Sequence, residues 1–295
     1  MKYTIYDRKD NYDQVIESKL IHYLQANKIE HLNYASSYFV LTFQMDKMIG
    51  LGIRYINNFH PNSYYFYIDV LGSFQRRNVG STILGLLEKN MPFIAPFQCL
   101  INAENRVANH FLLRHQFSLV RKTYDVEIEQ APVETSSRIT RKLNELSLGE
   151  LSEVKRLFYL NYLHYHKSVN PLNSKLDQNT FFKSIEKTID LKRSEVLYDF
   201  VSNSLAEQKK IVSYILVGES TEQSIEVAYI GGEFESNIQY YLGFFCSVLN
   251  TLLTEYQILY LESDTTDFYM SSLVKHLNVN PLGQYNTYIK SFDEA

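Results

Sequence analysis

Apolar positions recur along this chain in two rhythms. Short runs rich in aromatic and β-branched residues alternate with segments whose apolar residues fall three and four apart, so strands and helices should take turns. Lys2–Tyr6 predicts an edge strand, and Tyr12–Ala26 a helix with Val15, Ile16, Leu20 and Leu24 on one face. Tyr38–Gln44 and Met48–Ile56 predict two strands joined through Met45-Asp46-Lys47 as a hairpin. Between Tyr64 and Asn90 the rhythm switches once, from a strand (Tyr64, Tyr65, Phe66, Tyr67, Ile68, Val70) to a helix with Val79, Ile83, Leu86 and Leu87 on its apolar face. Gln98–Ile101 is the next strand. Asn105 then caps a helix carrying Val107, Ala108, Phe111 and Leu112, and Phe117–Glu129 alternates as a further strand.

The second half repeats this order at an offset of 160. Phe74, Gln75 and Asn105 fall opposite Phe234, Glu235 and Thr265, and Ile101–Asn105 opposite Leu261–Thr265. Leu151–Tyr165 and Gln178–Ile189 read as helices, Glu195–Val201 and Ile211–Val217 as a hairpin pair. Ile225–Ile230 matches the central strand and Ile238–Leu253 the helix after it. Two copies of one mixed α/β unit are predicted, at residues 1–130 and 138–295, joined by a linker at 131–137.

A tight polar turn, Gln75-Arg76-Arg77-Asn78-Val79-Gly80-Ser81, joins the first central strand to its helix. The first N–H groups of a helix lack intrahelical acceptors, and the helix dipole adds partial positive charge at that end. Gly80 permits close approach to the backbone, Asn78 tolerates the left-handed conformation of an anion-cradling nest, and Arg76 and Arg77 add charge. A phosphate or pyrophosphate site follows. The P-loop Lys-Ser/Thr is missing and so is G-x-G-x-x-G. In the second copy Tyr240 stands opposite Gly80, Ser236 and Asn237 opposite the arginines, and Glu235 adds negative charge, so that copy should have lost the site.

With Val70 five residues before Gln75, the stretch resembles the coenzyme A loop of the GNAT-family N-acetyltransferases, with Asn78 at the place of the usual first glycine. Asn105, Ala108 and Phe117 match that family's second signature, in which Leu112 replaces the usual Tyr and Gln116 the usual Gly. The resemblance implies two tandem GNAT-like domains, each a mostly antiparallel sheet flanked by helices, the second degenerate. It implies acetyl-CoA held by Val70, Leu71, Gln75, Arg76, Arg77, Asn78, Val79, Gly80, Ser81 and Asn105, with a backbone N–H near Leu71 polarising the thioester carbonyl. The acceptor would be the amine of a small molecule. Asp69 is the nearest carboxylate that could take the ammonium proton, although alternation places it opposite Ile68 and Val70 unless the strand bulges. His60 has a suitable intrinsic pKa but lies in a loop. The family's Tyr serves the departing thiolate, which Leu112 cannot do. A non-catalytic acyl-CoA-binding or regulatory protein is therefore the second reading. A FemABX-type aminoacyl transferase, which also pairs two such folds, is the third.

Charge weakens that third reading. The 295 residues carry a net charge of −4, which argues against a nucleic-acid footprint. Cys99 and Cys246 each sit in apolar runs and predict buried free thiols. MKYTIYDRKDNYD holds no apolar signal core and no later run reaches membrane-span length, so a cytoplasmic protein without a membrane partner is expected. In His164-Tyr165-His166 the histidines are two apart on a helix and point to different sides, which predicts a solvated helix end and no metal site.

Overall fold

The computed structural model describes residues 1–7, 12–29, 38–89, 91–133, 138–203 and 206–292; Asn90 and linker positions 134–137 lie outside them. The chain divides into two compact units that interleave. One comprises Met1–Cys99, His115–Ser118 and Tyr288–Ala295, the other Leu100–Arg114 and Leu119–Thr287.

The first unit begins with β1 (Lys2–Asp7), α1 (Gln14–Ala26), β2 (Tyr38–Gln44), β3 (Lys47–Ile56), β4 (Tyr64–Val70), α2 (Val79–Lys89) and the start of β5 (Phe97–Asn102). Strand order follows the chain, β1-β2-β3-β4-β5. Neighbours are antiparallel up to β4, and β4 and β5 are parallel. The Asp13 carboxylate accepts the N–H groups of Val15 and Ile16 and starts α1. The apolar face of that helix departs from the expectation. Val15 is 65% exposed, and Leu20, Tyr23 and Leu24 are buried with Glu17. A charged residue can turn inward here because the Tyr6 hydroxyl donates to Glu17 Oε2 at 2.8 Å. Met45 takes a left-handed conformation (φ 52°) in the β2–β3 hairpin. Leu20, Tyr23, Phe39, Leu41, Leu51 and Ile53 form the core under α1.

The second unit holds α3 (Arg106–Arg114), β6 (Ser118–Ile128), β7 (Ile139–Lys142), α4 (Leu148–His166), α5 (Gln178–Ile185), β8 (Glu195–Asn203), β9 (Ala206–Ser220), β10 (Ser224–Gly232), α6 (Ile238–Leu252), β11 (Ile258–Asp264), α7 (Phe268–Leu277) and most of β12 (Gly283–Lys290). Its strand order is β12-β6-β11-β10-β9-β8-β7. A capping box starts α4: Glu150 N–H donates to Ser147 Oγ, and Glu150 Oε2 accepts the Ser147 N–H at 2.9 Å. The largely apolar α6 packs on the sheet and α7, with Tyr241, Phe244, Phe245 and Leu249 in the main cluster. On α3, by contrast, Leu112 is buried and Val107 is 59% exposed.

Interleaving arises because each half lends chain to the other. From Leu119 on, β6 belongs to the second unit and pairs antiparallel with β11, Leu259↔Ile128 through Asp264↔Thr123. From Tyr288 on, the C-terminal residues belong to the first unit. There Lys290 Nζ meets Glu88 Oε1 at 2.8 Å, and the Phe292 ring stands edge-on to Phe97.

The repeat is present, but its offset is not constant. Strands β4 and β10 start 160 apart, as Tyr64 and Ser224. The turns after them differ in length: residues 71–78 separate β4 from α2, whereas only 233–237 separate β10 from α6. Tyr240 is thus the third residue of α6, matching Ser81 of α2 in helix position and not Gly80. The second copy has a shorter turn, not just a changed one.

Candidate functional site

Glycines in β3 seat α2. A Cβ built on Gly52 would lie 2.2 Å from Ile83 Cγ2 and 3.2 Å from Leu87 Cδ1, so the strand backbone itself is the surface against which Ile83 and Leu87 pack. At the far end of α2, buried Arg54 lies between the rings of Tyr38 and Tyr64, 4.3 and 5.0 Å from their centroids. Its Nη1 donates to the Leu87 carbonyl at 2.6 Å, which satisfies one of the orphan carbonyls of the helix C-terminus. Burial lowers the pKa of this guanidinium, and the neighbouring tyrosines oppose that shift.

With its helix fixed, the 71–78 turn has a defined shape. A 3-10 turn over Gly72–Phe74 leads out of β4, and the side chain of Gln75 reaches back so that Nε2 donates to the Val70 carbonyl at 2.9 Å. Arg76 and Asn78 both have positive φ, 58° and 61°. The left-handed conformation expected for Asn78 is present, and Arg76 adopts it too. Asn78 closes the first turn of α2 as its carbonyl accepts from the Thr82 N–H at 2.9 Å and from Thr82 Oγ1 at 3.0 Å. The N–H groups of Val79, Gly80 and Ser81 then precede the first intrahelical bond and face the turn. Arg76 and Arg77 are exposed beside them, Arg77 over the Phe74 ring at 5.6 Å. This is an anion-binding geometry: free N–H groups, a helix dipole and two guanidinium ions on one exposed turn.

Alongside the turn, β4 has a free edge. Its pairing with β5 consists of Tyr64↔Phe97 and Tyr65↔Gln98. Among the described residues no rung continues toward Val70, so the C-terminal half of β4 offers backbone groups to an extended ligand.

The remaining expected site residues are dispersed. Asp69 lies on the α1 face of β4, where Tyr23 donates its hydroxyl to Asp69 Oδ2 at 2.6 Å. Burial first, and then this hydrogen bond, push the Tyr23 pKa up. The β3–β4 ladder runs without a register shift from Ile56↔Tyr64 to Gly50↔Val70, so no bulge against β3 turns Asp69 toward the Val70 face. The Leu71 N–H donates to the Ile49 carbonyl at 3.0 Å and is already engaged. His60 is buried ahead of β4, whereas the turn lies after it; a seven-residue strand separates them, about 20 Å. Asn105 belongs to the second unit and caps α3, its Oδ1 accepting the Ala108 N–H at 3.0 Å. Gln116, at the place of the family's glycine, has a φ of 67°, which preserves the backbone that the glycine would supply. Phe117 is buried against Phe66.

Two neighbours of the turn escape sequence reading. Ser81 Oγ lies 2.9 Å from His115 Nε2, across 34 positions of sequence, and Tyr23 meets Asp69 across 46. No local pattern marks either pair.

A cavity of about 430 Å³ lies within the second unit, where β10 and β11 part. Their parallel pairing ends at Glu226↔Tyr260. The β9–β10 ladder shifts register on both sides of Val227, which lets three successive residues, Ala228, Tyr229 and Ile230, contribute to the wall. His166 also lines it. Its ring stacks on Tyr162 at 3.9 Å and its Nδ1 lies 3.0 Å from Asn170 Oδ1, so this end of α4 is not the solvated one expected. His164 fits that expectation, at 71% exposure, beside Glu235.

Asp267, in the same wall, is held near pH 6 by burial, against the N–H of Met270 that it caps at 3.0 Å, with Asp264 adding repulsion. Its folded pKa lies above its unfolded one, so the folded chain holds this proton more tightly and loses stability as pH rises from about 4 to 6. Asp267→Asn keeps a capping side chain and removes the charge. Its stability relative to wild type should therefore improve by on the order of 2 kcal/mol between pH 4 and pH 7. Urea melts at the two pH values check this; an unchanged difference would show that Asp267 titrates normally.

No protein-family model matches the sequence, and no curated protein matches it. Solved structures do. A GCN5-related N-acetyltransferase from Sphaerobacter thermophilus aligns with a TM-score of 0.59 over 98% of this chain and 95% of its own, at 14% identity. The fold is the GNAT fold. A tandem GNAT protein from the clavulanic acid biosynthesis pathway aligns over 100% of this chain and 99% of its own at 8% identity, TM-score 0.52. A GCN5-related N-acetyltransferase from Kribbella flavida aligns over 98% and 72% at 10% identity, TM-score 0.50. A single alignment of this kind spans both halves of the chain, so the resemblance seen in residues 1–130 extends to the second copy. Among the described residues no helix is long and apolar enough to cross a membrane.

Proposed function

We propose that this protein transfers the acetyl group of acetyl-CoA to the amine of a small molecule, with residues 70–81 of the first unit holding the coenzyme. The observation that carries this reading is the turn at the start of α2: two left-handed residues, free helix N–H groups and an exposed arginine pair, next to the free edge of β4. Acetyl-CoA supplies an activated acyl group: the new N–C bond forms, the C–S bond breaks, the amine gives up a proton and the thiolate takes one. For the chain's own part, the first N–H groups of α2 and the two arginines bind phosphate oxygens. Gln75 holds the turn against Val70, and the β4 edge aligns an extended arm by backbone hydrogen bonds. Asp69 is occupied by Tyr23, so proton removal through water suits this site better than a single carboxylate base. Asn105 is retained as a cap.

The test is thiol release from acetyl-CoA across a panel of primary amines. Amine-dependent release is expected. Arg76→Ala with Arg77→Ala should raise the KM for acetyl-CoA by roughly tenfold or more, since each charge-assisted contact is worth about 1.5–3 kcal/mol, and should flatten its salt dependence. No release with any amine, together with saturable coenzyme A binding, would favour the second reading, a non-catalytic acyl-CoA-binding protein. One observation points that way: Leu112 is buried with no proton to give where the family has its Tyr.

A further inference from the structure

The cavity of the second unit has a wall chemistry that the first unit's turn does not explain. Asp125 and Glu262 are directly paired across the β6–β11 ladder and both line the cavity. Like charges in facing positions of an antiparallel pair repel. Two positions along, the same ladder shows what a satisfied acid looks like there. Asp264 accepts from Thr123 Oγ1 at 2.5 Å and meets Arg121 Nη1 at 3.0 Å. That engages Nη1 of Arg121, whose Nε has no partner, and among the described residues neither Asp125 nor Glu262 has an ion pair within 4.0 Å. The carboxylate of Asp125 lies against the Gly283 backbone, 3.0 Å from where a Cβ would stand, so no side chain of that residue covers it.

Aromatic rings, Tyr162, Tyr214, Tyr229 and Tyr285 among them, form much of the remaining wall, which also holds Arg121 and the acids Asp264 and Asp267. Tyr214 is 1% exposed, and its ring is fixed in the wall edge-on to Phe158. Tyr162 is already stacked on His166, which fixes its ring face.

Unpaired carboxylates beside aromatic faces select a cation whose surface is partly apolar. Carboxylates balance the charge, and ring faces attract the polarised C–H and N–H groups of an alkylammonium. A metal ion does not suit the site, since no group of three His, Cys, Asp or Glu among the described residues is placed to hold one. A volume of about 430 Å³ admits a small organic molecule.

We propose that the second unit is itself a ligand-binding module whose cavity takes a small organic ammonium ion between the Asp125–Glu262 pair and the tyrosine wall. Loss of the phosphate-binding turn in this copy, whose strand-to-helix connection is the shorter one, leaves a site for the amine alone.

The full chain, without acetyl-CoA, should be titrated calorimetrically with butylammonium and tetramethylammonium chlorides. Sodium chloride at matched ionic strength and 1-butanol serve as controls. One saturable site per chain is expected for at least one of the ammonium ions and none for the controls. Glu262→Gln should weaken binding by about tenfold, the loss expected for one charge-assisted contact, and Asp125→Asn by a similar factor. Both should raise the melting temperature of the ligand-free protein, because each removes the facing repulsion. A purely structural pair would give the second effect without the first, which would overturn the proposal. Tyr214→Phe, which removes the hydroxyl and keeps the ring, should fold and bind several-fold more weakly. If Asp125→Asn does not fold, Glu262→Gln and Tyr214→Phe decide. No saturable ammonium binding, or equal binding by folded Glu262→Gln and Tyr214→Phe, overturns the assignment. Because coenzyme A is absent throughout, a chain with no transferase activity still reports on this site.

Discussion

Gly80→Tyr should abolish coenzyme A binding in a protein that remains folded. Gly80 is the second residue of α2, half-buried at the turn. Side chains on a helix lean toward its N-terminus and cover the turn before them. A phenol at this position would therefore lie over the N–H groups of Val79 and Ser81, and a phosphate needs hydrogen-bond distance to use them. The fold has less reason to suffer, because the buried face of α2 is Val79, Ile83, Leu84 and Leu87. Calorimetry should give one coenzyme A per wild-type chain and none for the variant. Tyr240→Gly should create no second site, because the connection from β10 to α6 has only residues 233–237 in which to build a cradle, and Glu235 among them is acidic. Two equivalent sites on the wild type, or a folded Gly80→Tyr protein that still binds, would remove the first unit's turn from consideration.

Gly52→Val should cost both stability and coenzyme affinity, through a contact remote from the ligand. Even the first added carbon would fall 2.2 Å from Ile83 Cγ2, and Ile83 and Leu87 are fully buried with nowhere to retreat. Relief requires α2 to lift from β3. Overpacking of this kind costs typically about 1–3 kcal/mol, and Val exceeds the smallest case. A lifted helix carries its N-terminus with it, so the spacing between the Val79–Ser81 N–H groups and the Gln75 bond to Val70 changes. Thermal melts should show a drop of several degrees and calorimetry a weaker coenzyme site. Wild-type affinity in a clearly destabilised variant would mean that the loop holds its own shape without the helix seat.

What the sequence disclosed follows from range. The strand, turn and helix over 64–89 rest on neighbours: aromatic strand residues, Asn78 for positive φ, and apolar spacing in α2. All of these are legible from local pattern. Faces were less so. Val15 and Leu20 share a periodic stripe, but the Tyr6–Glu17 hydrogen bond rotates α1 so that a charge goes in and Val15 goes out. Pairings across many positions, Tyr23 with Asp69 or Ser81 with His115, have no signature in either partner's surroundings. The fixed offset hid the shorter second turn because flanking strands kept register while the connection did not. The second cavity was invisible for a related reason: its wall gathers residues from β6, β10, β11 and α4, and in sequence each looks like an ordinary polar position on a strand or helix.

The loan of residues 288–292 to the first unit has a consequence for synthesis. A chain emerging from the ribosome presents Met1–Cys99 early, with β1 to β4 and both their helices in hand. Yet the partners of Glu88 and Phe97, Lys290 and Phe292, follow the whole of the second unit in the chain. Until then Glu88 and Phe97 lack those contacts, and incompletely packed segments are where nascent chains associate wrongly. The first unit's contacts are complete only once the chain of the second unit, up to Thr287, has been made.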